Sequence, residues 1–292
     1  MSDATQALSR VTIVTVAHDS ARVLPGFFDN CPPGVAVILV DNASRDESAA
    51  LAESRRAWVI RCADNRGFGA GCNAGMAVAA TEFVLLANPD THLSAEAIAA
   101  LVAAADSFAS AAILAPLIRD AQGRKVRSWD AAQDRRRFLP RKRAAEAWPE
   151  GPLCADFVSG ACMLVRGSAG LRFDERFFLY YEDDDFCQSA RAAGQTVLLV
   201  PAATVMHAGG ESTAPSRALL RFKAHHLARS RLIHCAKWQG AAAARAAARA
   251  RLLHHLGKAL GHALTLQGDK LAADLGGIEG TRGWIKQEGQ GR

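Results

Sequence analysis

The sequence has little of what marks a disulfide-built, zinc-built or membrane-spanning chain. Its seven cysteines (Cys31, Cys62, Cys72, Cys154, Cys162, Cys187 and Cys235) are scattered and odd in number, and no CxxC pair occurs. A structural zinc or a disulfide framework is therefore not expected, and a reducing cytoplasm fits best. No segment opens the chain like a secretory signal, since Met1 to Arg10 is polar and carries Asp3. Long apolar runs are missing as well. The longest apolar-looking stretch, Ser94 to Ile118, is alanine-rich and interrupted by Glu96 and Asp106. It predicts a surface helix followed by a strand rather than a membrane span. There is no internal repeat, no Walker A sequence and no GxGxxG after the first strand, which removes the commonest phosphate-loop folds.

Acid is absent over one long stretch. No Asp or Glu occurs between Ser212 and Gly268, whereas Arg217, Arg221, Lys223, Arg229, Arg231, Lys237, Arg245, Arg249, Arg251 and Lys258 all do. A second basic run spans Arg135 to Arg143, and the net charge of the whole chain is +6. Such asymmetry implies an anionic partner: lipid head groups, a phosphorylated acceptor or nucleic acid.

What is present is ordinary for a globular protein: 292 residues, 50% hydrophobic and 22% charged. That length suits one large domain, or one domain with an appendage, and is ample for a buried core. Val11 to Val16, Val35 to Val40, Trp58 to Arg61 and Phe83 to Leu86 read as short buried strands. Helical segments separate them, so a mostly parallel α/β sheet is expected. The strands end in Ala17-His18-Asp19-Ser20, in Asp41, in the glycine-rich segment Asp64 to Gly75, and in Asn88-Pro89-Asp90. In open α/β sheets ligands bind outside the carboxyl ends of the strands, so these polar ends are the first functional clue. Gly123 to Pro152 reads as a long loop or flexible insert. Structure resumes with a Gly-interrupted strand over Phe157 to Val165. A helix is expected from Asp184 to Ala193, stopped by Gly194, then a strand from Val197 to Val200.

Several of these residues carry chemistry. A hard divalent cation needs only one or two carboxylates when substrate phosphates and water complete its shell, and Asp90 supplies one. An Asp closing a turn after Asn-Pro has an equally good structural explanation. Glu182, Asp183, Asp184 and Asp185 follow the apolar Phe177 to Tyr181. Four adjacent carboxylates beside apolar walls are costly unless water, a metal or a substrate hydroxyl meets them, and a general base needs such a setting. Acids at a helix start also complement its dipole. Asp184 and Asp185 fit that bland role, whereas Glu182 and Asp183, before the expected helix, fit it less well. His207 ends a strand ahead of Gly209 and Gly210, and imidazole serves as a metal ligand or diphosphate contact. Gly67, Gly69, Gly71 and Gly75 permit close backbone approach to a nucleotide.

From Val11 to Thr213 the order and spacing of these segments resemble the bacterial family 2 glycosyltransferases, especially their rhamnosyltransferase-like branch. The matching stretches are Val11 to Ser20, Val40 to Ser44, Asn65 to Gly75, Asn88 to Asp90, Val158 to Ala161, Phe173 to Asp185, and His207. From Arg217 onward the chain itself reads as basic amphipathic helices breaking up near Gly276-Gly277, which gives a basic helical C-terminal region over 215–275 and a polar tail over 276–292. The resemblance implies an α/β chain of the GT-A fold over residues 8–214. It implies that Asp41 contacts base or ribose, with Ala17, His18 and Asp19 lining the same pocket. Asn65, Gly67 and Asn73 then lie beside nucleotide and donor, and Asn88 stands where relatives carry the first acid of a metal-binding Asp-x-Asp. Asp90 and His207 become the metal side, with Mg²⁺ or Mn²⁺ as cofactor, and Asp183 the catalytic base, supported by Glu182 and Asp185. His18-Asp19 departs from the Tyr-Asn that relatives usually carry. The activity implied is inverting transfer of a sugar, L-rhamnose from dTDP-rhamnose first among the donors, onto a cell-envelope polysaccharide, lipopolysaccharide or lipid-linked acceptor. UDP- and GDP-sugars are the alternative donors.

Arg221, Lys223, His225, His226, Arg229 and Arg231 interleave with Leu219, Leu220, Phe222, Leu227, Leu232 and Ile233. A cationic helix with an apolar face can lie in a membrane interface, so peripheral contact with the anionic inner face of the plasma membrane is one expectation. A helical appendage with a solvated basic face is the other. Nucleic-acid binding competes as a function, but no recognition module accompanies the basic runs and no nucleic acid is expected. A nucleotidyltransferase would carry a basic Gly-rich loop where Ala17 to Ser20 stands.

Overall fold

The computed structural model describes residues 3–132, 147–209 and 216–290. The basic run Arg135 to Arg143 and the loop after Gly209 lie outside them. In chain order the elements begin α1 (Asp3–Ser9), β1 (Val11–Ala17), α2 (Leu24–Asp29), β2 (Ala36–Asp41), α3 (Ser48–Ser54), β3 (Trp58–Arg61), α4 (Phe68–Val78), β4 (Phe83–Ala87) and β5 (Thr91–His92). There follow α5 (Ala95–Ser107), β6 (Ala111–Arg119), β7 (Lys125–Val126), β8 (Trp129–Asp130), β9 (Leu153–Cys154), β10 (Phe157–Val158) and β11 (Cys162–Arg166). The last are α6 (Glu182–Ala192), β12 (Thr196–His207), α7 (Arg217–Gln239), α8 (Ala241–Leu264) and α9 (Gly268–Gln290). They form two compact units, Met1–Phe173 with Asp183–Ser212, and Asp174–Glu182 with Thr213–Arg292.

The first unit is built on a sheet of order β3-β2-β1-β4-β11-β6-β12-β5. Strands β3, β2, β1 and β4 run parallel, as do β6 and β12, while β11 lies antiparallel between β4 and β6. The register sets Ala17 beside Asp41, Asp41 beside Arg61, and Ala87 beside Cys162. Because β11 runs the other way, its start joins the carboxyl ends of β1, β2, β3 and β4 on one edge. Side chains alternate across a strand, so β1 feeds two cores. Val11 and Ile13 pack with Phe83, Leu85 and α5, whereas Val14 and Val16 pack with Val84, Leu86 and α4.

Two glycines of α4 explain how that helix approaches the sheet. A Cβ on Gly71 would lie 2.6 Å from Val16 Cγ1, and one on Gly75 2.3 Å from Val14 Cγ1. These two serve helix-on-strand packing rather than nucleotide approach. The glycine with an unusual backbone is Gly67, whose φ of 92° turns the chain into the helix.

Several elements of the first unit differ from the sequence expectation. Strands β7 and β8 form inside the expected Gly123 to Pro152 loop. The expected Phe157 to Val165 strand is two, β10 and β11, broken at Ser159 to Ala161. Strand β12 runs past Val200 to His207 with a register shift between Val200 and Thr204. Helix α6 starts at Glu182, two residues before the expected Asp184, and the chain leaves it at Gly194 with φ 75°.

In the second unit α7, α8 and α9 enclose a small core of Phe177, Leu232, Ile233, Ala244, Ala248 and Trp284. Ser216 caps α7 by accepting from the Leu219 amide at 3.1 Å. Where a polar tail was expected from residue 276, α9 continues as helix to Gln290. Gly276, which suggested a break, is part of its packing face together with Gly280. A Cβ on Gly276 would sit 2.1 Å from the Arg221 carbonyl oxygen, and one on Gly280 2.1 Å from that of His225. The basic residues of α7 are drawn into the same unit: Arg217 pairs with Asp269 at 2.8 Å, Arg221 with Glu279, and Lys237 with Asp174 at 3.1 Å. Among the described residues no helix is long and apolar enough to cross a membrane.

Candidate active site

At the carboxyl edge of β1 and β2 a hydrogen-bonded set of loops forms around Asn42, a residue with 3% exposure. Its side-chain nitrogen donates to Asn65 Oδ1 at 2.9 Å and to the Gly67 carbonyl at 3.0 Å. Its Oδ1 accepts from the Arg66 amide at 3.2 Å, and its own amide donates to the Ala17 carbonyl at 2.8 Å. Asn42 therefore ties the ends of β1 and β2 to the glycine loop. Sequence reasoning gave Asn42 no site role, although an amide side chain directly after a buried strand is a usable signal. His18 Nδ1 lies 2.9 Å from the Asn42 carbonyl oxygen. Asp19 takes a left-handed φ of 49° while its carboxylate accepts from the Arg45 amide at 2.7 Å. Asp41 is buried, and its Oδ1 accepts from the Ser44 amide at 3.1 Å. Ala17, His18, Asp19, Asp41, Asn65 and Gly67 thus share one edge and one network.

Farther along the same edge, Asn88, Asp90 and His207 meet. The pairing of His207 with Thr91 in the β12–β5 register carries the imidazole to the turn after β4. His207 Nε2 lies 3.0 Å from Asp90 Oδ1 and 3.2 Å from Asn88 Nδ2. The turn is held by Asn88 donating its amide to the Ala161 carbonyl at 2.9 Å. Burial works against ionisation of Asp90. The hydrogen bond and charge of His207, with backbone amides of Asp90 and Gly209, outweigh it and hold the carboxyl below the usual Asp value. A charged, largely desolvated carboxylate beside an imidazole suits Mg²⁺ or Mn²⁺, whose remaining positions diphosphate oxygens and water can fill. Among the described residues no group of three or more His, Cys, Asp or Glu could hold a metal alone. The donor set fits an ion shared with substrate.

The four acids of α6 differ in exposure. Glu182, Asp184 and Asp185 are buried, while Asp183 is half-buried. Because α6 begins at Glu182, all four fall in its first turn, and dipole complementation applies to Glu182 and Asp183 as well. Accessibility is what singles out Asp183. Its Oδ2 accepts from the Gly160 amide at 3.2 Å and its Oδ1 from the Asp184 amide at 2.9 Å. Gly160, in the break between β10 and β11, received no role from sequence. A Cβ there would press on Asp183 Cβ and Phe68 at 3.4 Å each. Tyr180 and Tyr181 precede these acids with φ of 68° and 65°. Left-handed backbone at bulky residues costs about 1–3 kcal/mol each and recurs at functional sites.

Asn73, which the resemblance sets beside nucleotide and donor, has its side chain bonded to Phe173. Its Nδ2 donates to the Phe173 carbonyl and its Oδ1 accepts from the Phe173 amide, both at 2.9 Å. This clamp fixes Phe173, which stacks on Phe186 of α6 with ring centroids 4.1 Å apart. Asn73→Ala is expected to cost about 1–3 kcal/mol in urea unfolding, the range for losing paired buried hydrogen bonds, with nucleotide affinity preserved. A loss of affinity without a loss of stability would favour the nucleotide role over the clamp.

Comparison with known proteins gives this edge a context. Residues 12–169 match the family model for glycosyl transferase family 2. An N-acetylglucosaminyl-diphospho-decaprenol L-rhamnosyltransferase of Mycobacterium tuberculosis is 30% identical over 222 residues, covering 66% of this chain and 72% of the relative. A mannosyltransferase from Pyrobaculum calidifontis, solved in complex with GDP-Man and Mn²⁺, superposes with a TM-score of 0.57 at 16% identity, over 96% of this chain and 88% of that one. GalNAc-T7, solved with UDP, GalNAc and Mn²⁺, gives a TM-score of 0.52 at 16% identity, over 70% of this chain but only 45% of its own. At such identity the two structures speak to the fold alone.

Proposed function

Because the chain belongs to glycosyl transferase family 2 and has the GT-A fold, we propose that it transfers L-rhamnose, with inversion, from dTDP-rhamnose to a lipid-linked glycan acceptor of the cell envelope. Glycosyl transfer itself follows from the family, and the choice of donor and acceptor rests on the Mycobacterium tuberculosis relative. The observation that carries the chemistry is one sheet edge bearing Asp90 with His207 at 3.0 Å and an accessible Asp183 held by two backbone amides.

In this reading Asp41 and the Ala17 to Asp19 strand end receive base and ribose, while Asn65 and Gly67 line the donor side. Asp90 and His207 would hold Mg²⁺ or Mn²⁺, which when bound neutralises charge on the departing diphosphate. Asp183 takes the proton from the acceptor hydroxyl. The hydroxyl oxygen then bonds to the anomeric carbon as the carbon–oxygen bond to the diphosphate breaks on the opposite face. One displacement inverts the configuration. The amides of Gly160 and Asp184 aim the Asp183 carboxylate. Glu182 and Asp185, buried beside it in the same helical turn, support the acidic end of α6.

The test is nucleotide release from dTDP-, UDP- and GDP-sugars with Mn²⁺, Mg²⁺ or EDTA. Release from dTDP-rhamnose is expected, stopped by EDTA and reduced roughly a hundredfold or more in Asp90→Ala. Preferential release from a UDP- or GDP-sugar would replace the donor and keep the class. Metal-independent release, unchanged in Asp90→Ala, would remove the metal role from Asp90 and His207.

A further inference from the structure

Of the α7 cations that sequence singled out for membrane contact, Arg221 pairs with Glu279 within its own unit, as Arg217 and Lys237 nearer the helix ends pair with Asp269 and Asp174. Arg229 likewise donates to Gln287 Oε1 at 3.0 Å. Helix α8 is different. Leu253, Leu256, Leu260 and Leu264 are 72%, 48%, 65% and 77% exposed. Their spacing of three, four and four residues aligns them on one face of a helix. Leu266, in the turn that follows, is 91% exposed and has a left-handed φ of 54°. Five large apolar side chains are thus presented along one outer face and its end, where a solvated helix would carry polar residues.

The charges on the same helix indicate what covers that face. Over Ala241–Leu264 there are four basic residues, Arg245, Arg249, Arg251 and Lys258, and no Asp or Glu. Arg249 lies one turn before Leu253 and Arg245 one turn before that, so these two cations continue the leucine stripe toward the helix start, and Arg249 is exposed. Pairing with a second copy of α8 would set these cations against their own kind. An anionic lipid surface offers apolar depth for the leucines and negative charge for their flanks. We propose that the α8 leucine face, continued by Leu266, docks the protein on anionic lipid bilayers, lying in the interface rather than crossing it. The docking is independent of the donor, the acceptor and the metal.

The experiment is co-sedimentation of the full chain with phosphatidylglycerol–phosphatidylcholine vesicles and with phosphatidylcholine vesicles alone. Light scattering reports the oligomeric state in parallel. Binding to the anionic vesicles is expected. It should fall at least tenfold when Leu253, Leu256, Leu260 and Leu264 are all changed to serine, and several-fold in Arg249→Glu. These exposed positions leave the helical circular dichroism and donor hydrolysis unchanged. Failure of the wild type to bind, or equal binding by the serine variant, would overturn the proposal. So would a wild-type dimer that the serine variant converts to monomer without any vesicle binding, which would assign the face to a second copy.

Discussion

Asp183→Asn is expected to slow sugar transfer by roughly a thousandfold, about 4 kcal/mol of activation free energy, while leaving nucleotide binding intact. The substitution keeps the size of the side chain but removes its capacity to take a proton at neutral pH. It also breaks a local arrangement. Both carboxylate oxygens accept backbone N–H groups, one from Gly160 and one from Asp184. An amide offers one acceptor and one donor, so one of these N–H groups faces another donor. Fold is expected to survive, because Asp183 is half-buried and not part of either apolar core. The contrast with Asp90→Ala separates the proposed roles: that change is expected to alter metal-dependent nucleotide binding, whereas Asp183→Asn is expected to alter turnover. Steady-state transfer together with nucleotide titration distinguishes the two. A variant retaining more than about a tenth of wild-type turnover would remove Asp183 from the base role.

The second large effect is on stability, and it runs against the usual rule for helices. Replacing an exposed helical glycine by alanine normally stabilises by about 1 kcal/mol. Gly276→Ala and Gly280→Ala are expected to do the opposite, because each new Cβ would fall 2.1 Å from a carbonyl oxygen of α7. Backbone cannot rotate aside as a side chain does, so α7 and α9 must separate. Their parting loosens Leu232, Ile233 and Trp284 in the core they share. Overpacking of this kind costs about 1–3 kcal/mol per site, and the two sites lie one turn apart on the same contact. Gly283 supplies the control, since nothing lies within 4 Å of the Cβ it would gain. In urea unfolding and hydrogen exchange, the Gly276→Ala, Gly280→Ala double variant should lose protection across α7 and α9. Gly283→Ala should hold or gain it. Equal behaviour of all three would mean the helices do not approach as closely as described.

How far the sequence reached depends on the distance over which each feature is specified. Strand-by-strand alternation, turn residues and the order of β and α segments are local properties. They were enough to predict a mostly parallel sheet and to place Asp41, the glycine loop and Asp90 at its carboxyl edge. The acidic run and His207 stood out because charge beside apolar residues is unusual wherever it occurs. The family resemblance added roles to those positions. Only the tertiary structure decided which groups actually meet. It joined Asn73 to Phe173, 100 residues away, Asn88 to His207, 119 away, and the Gly160 amide to Asp183. It turned Gly71 and Gly75 from loop glycines into a packing face, and Gly276 from a break into part of another. It paired the cations of α7 with acids more than fifty residues off and left the leucines of α8 facing outward. A hydrogen bond or a close backbone contact depends on two partners and on the chain path between them. The residue types at either end record that something polar or small is needed there, and the fold supplies the other half.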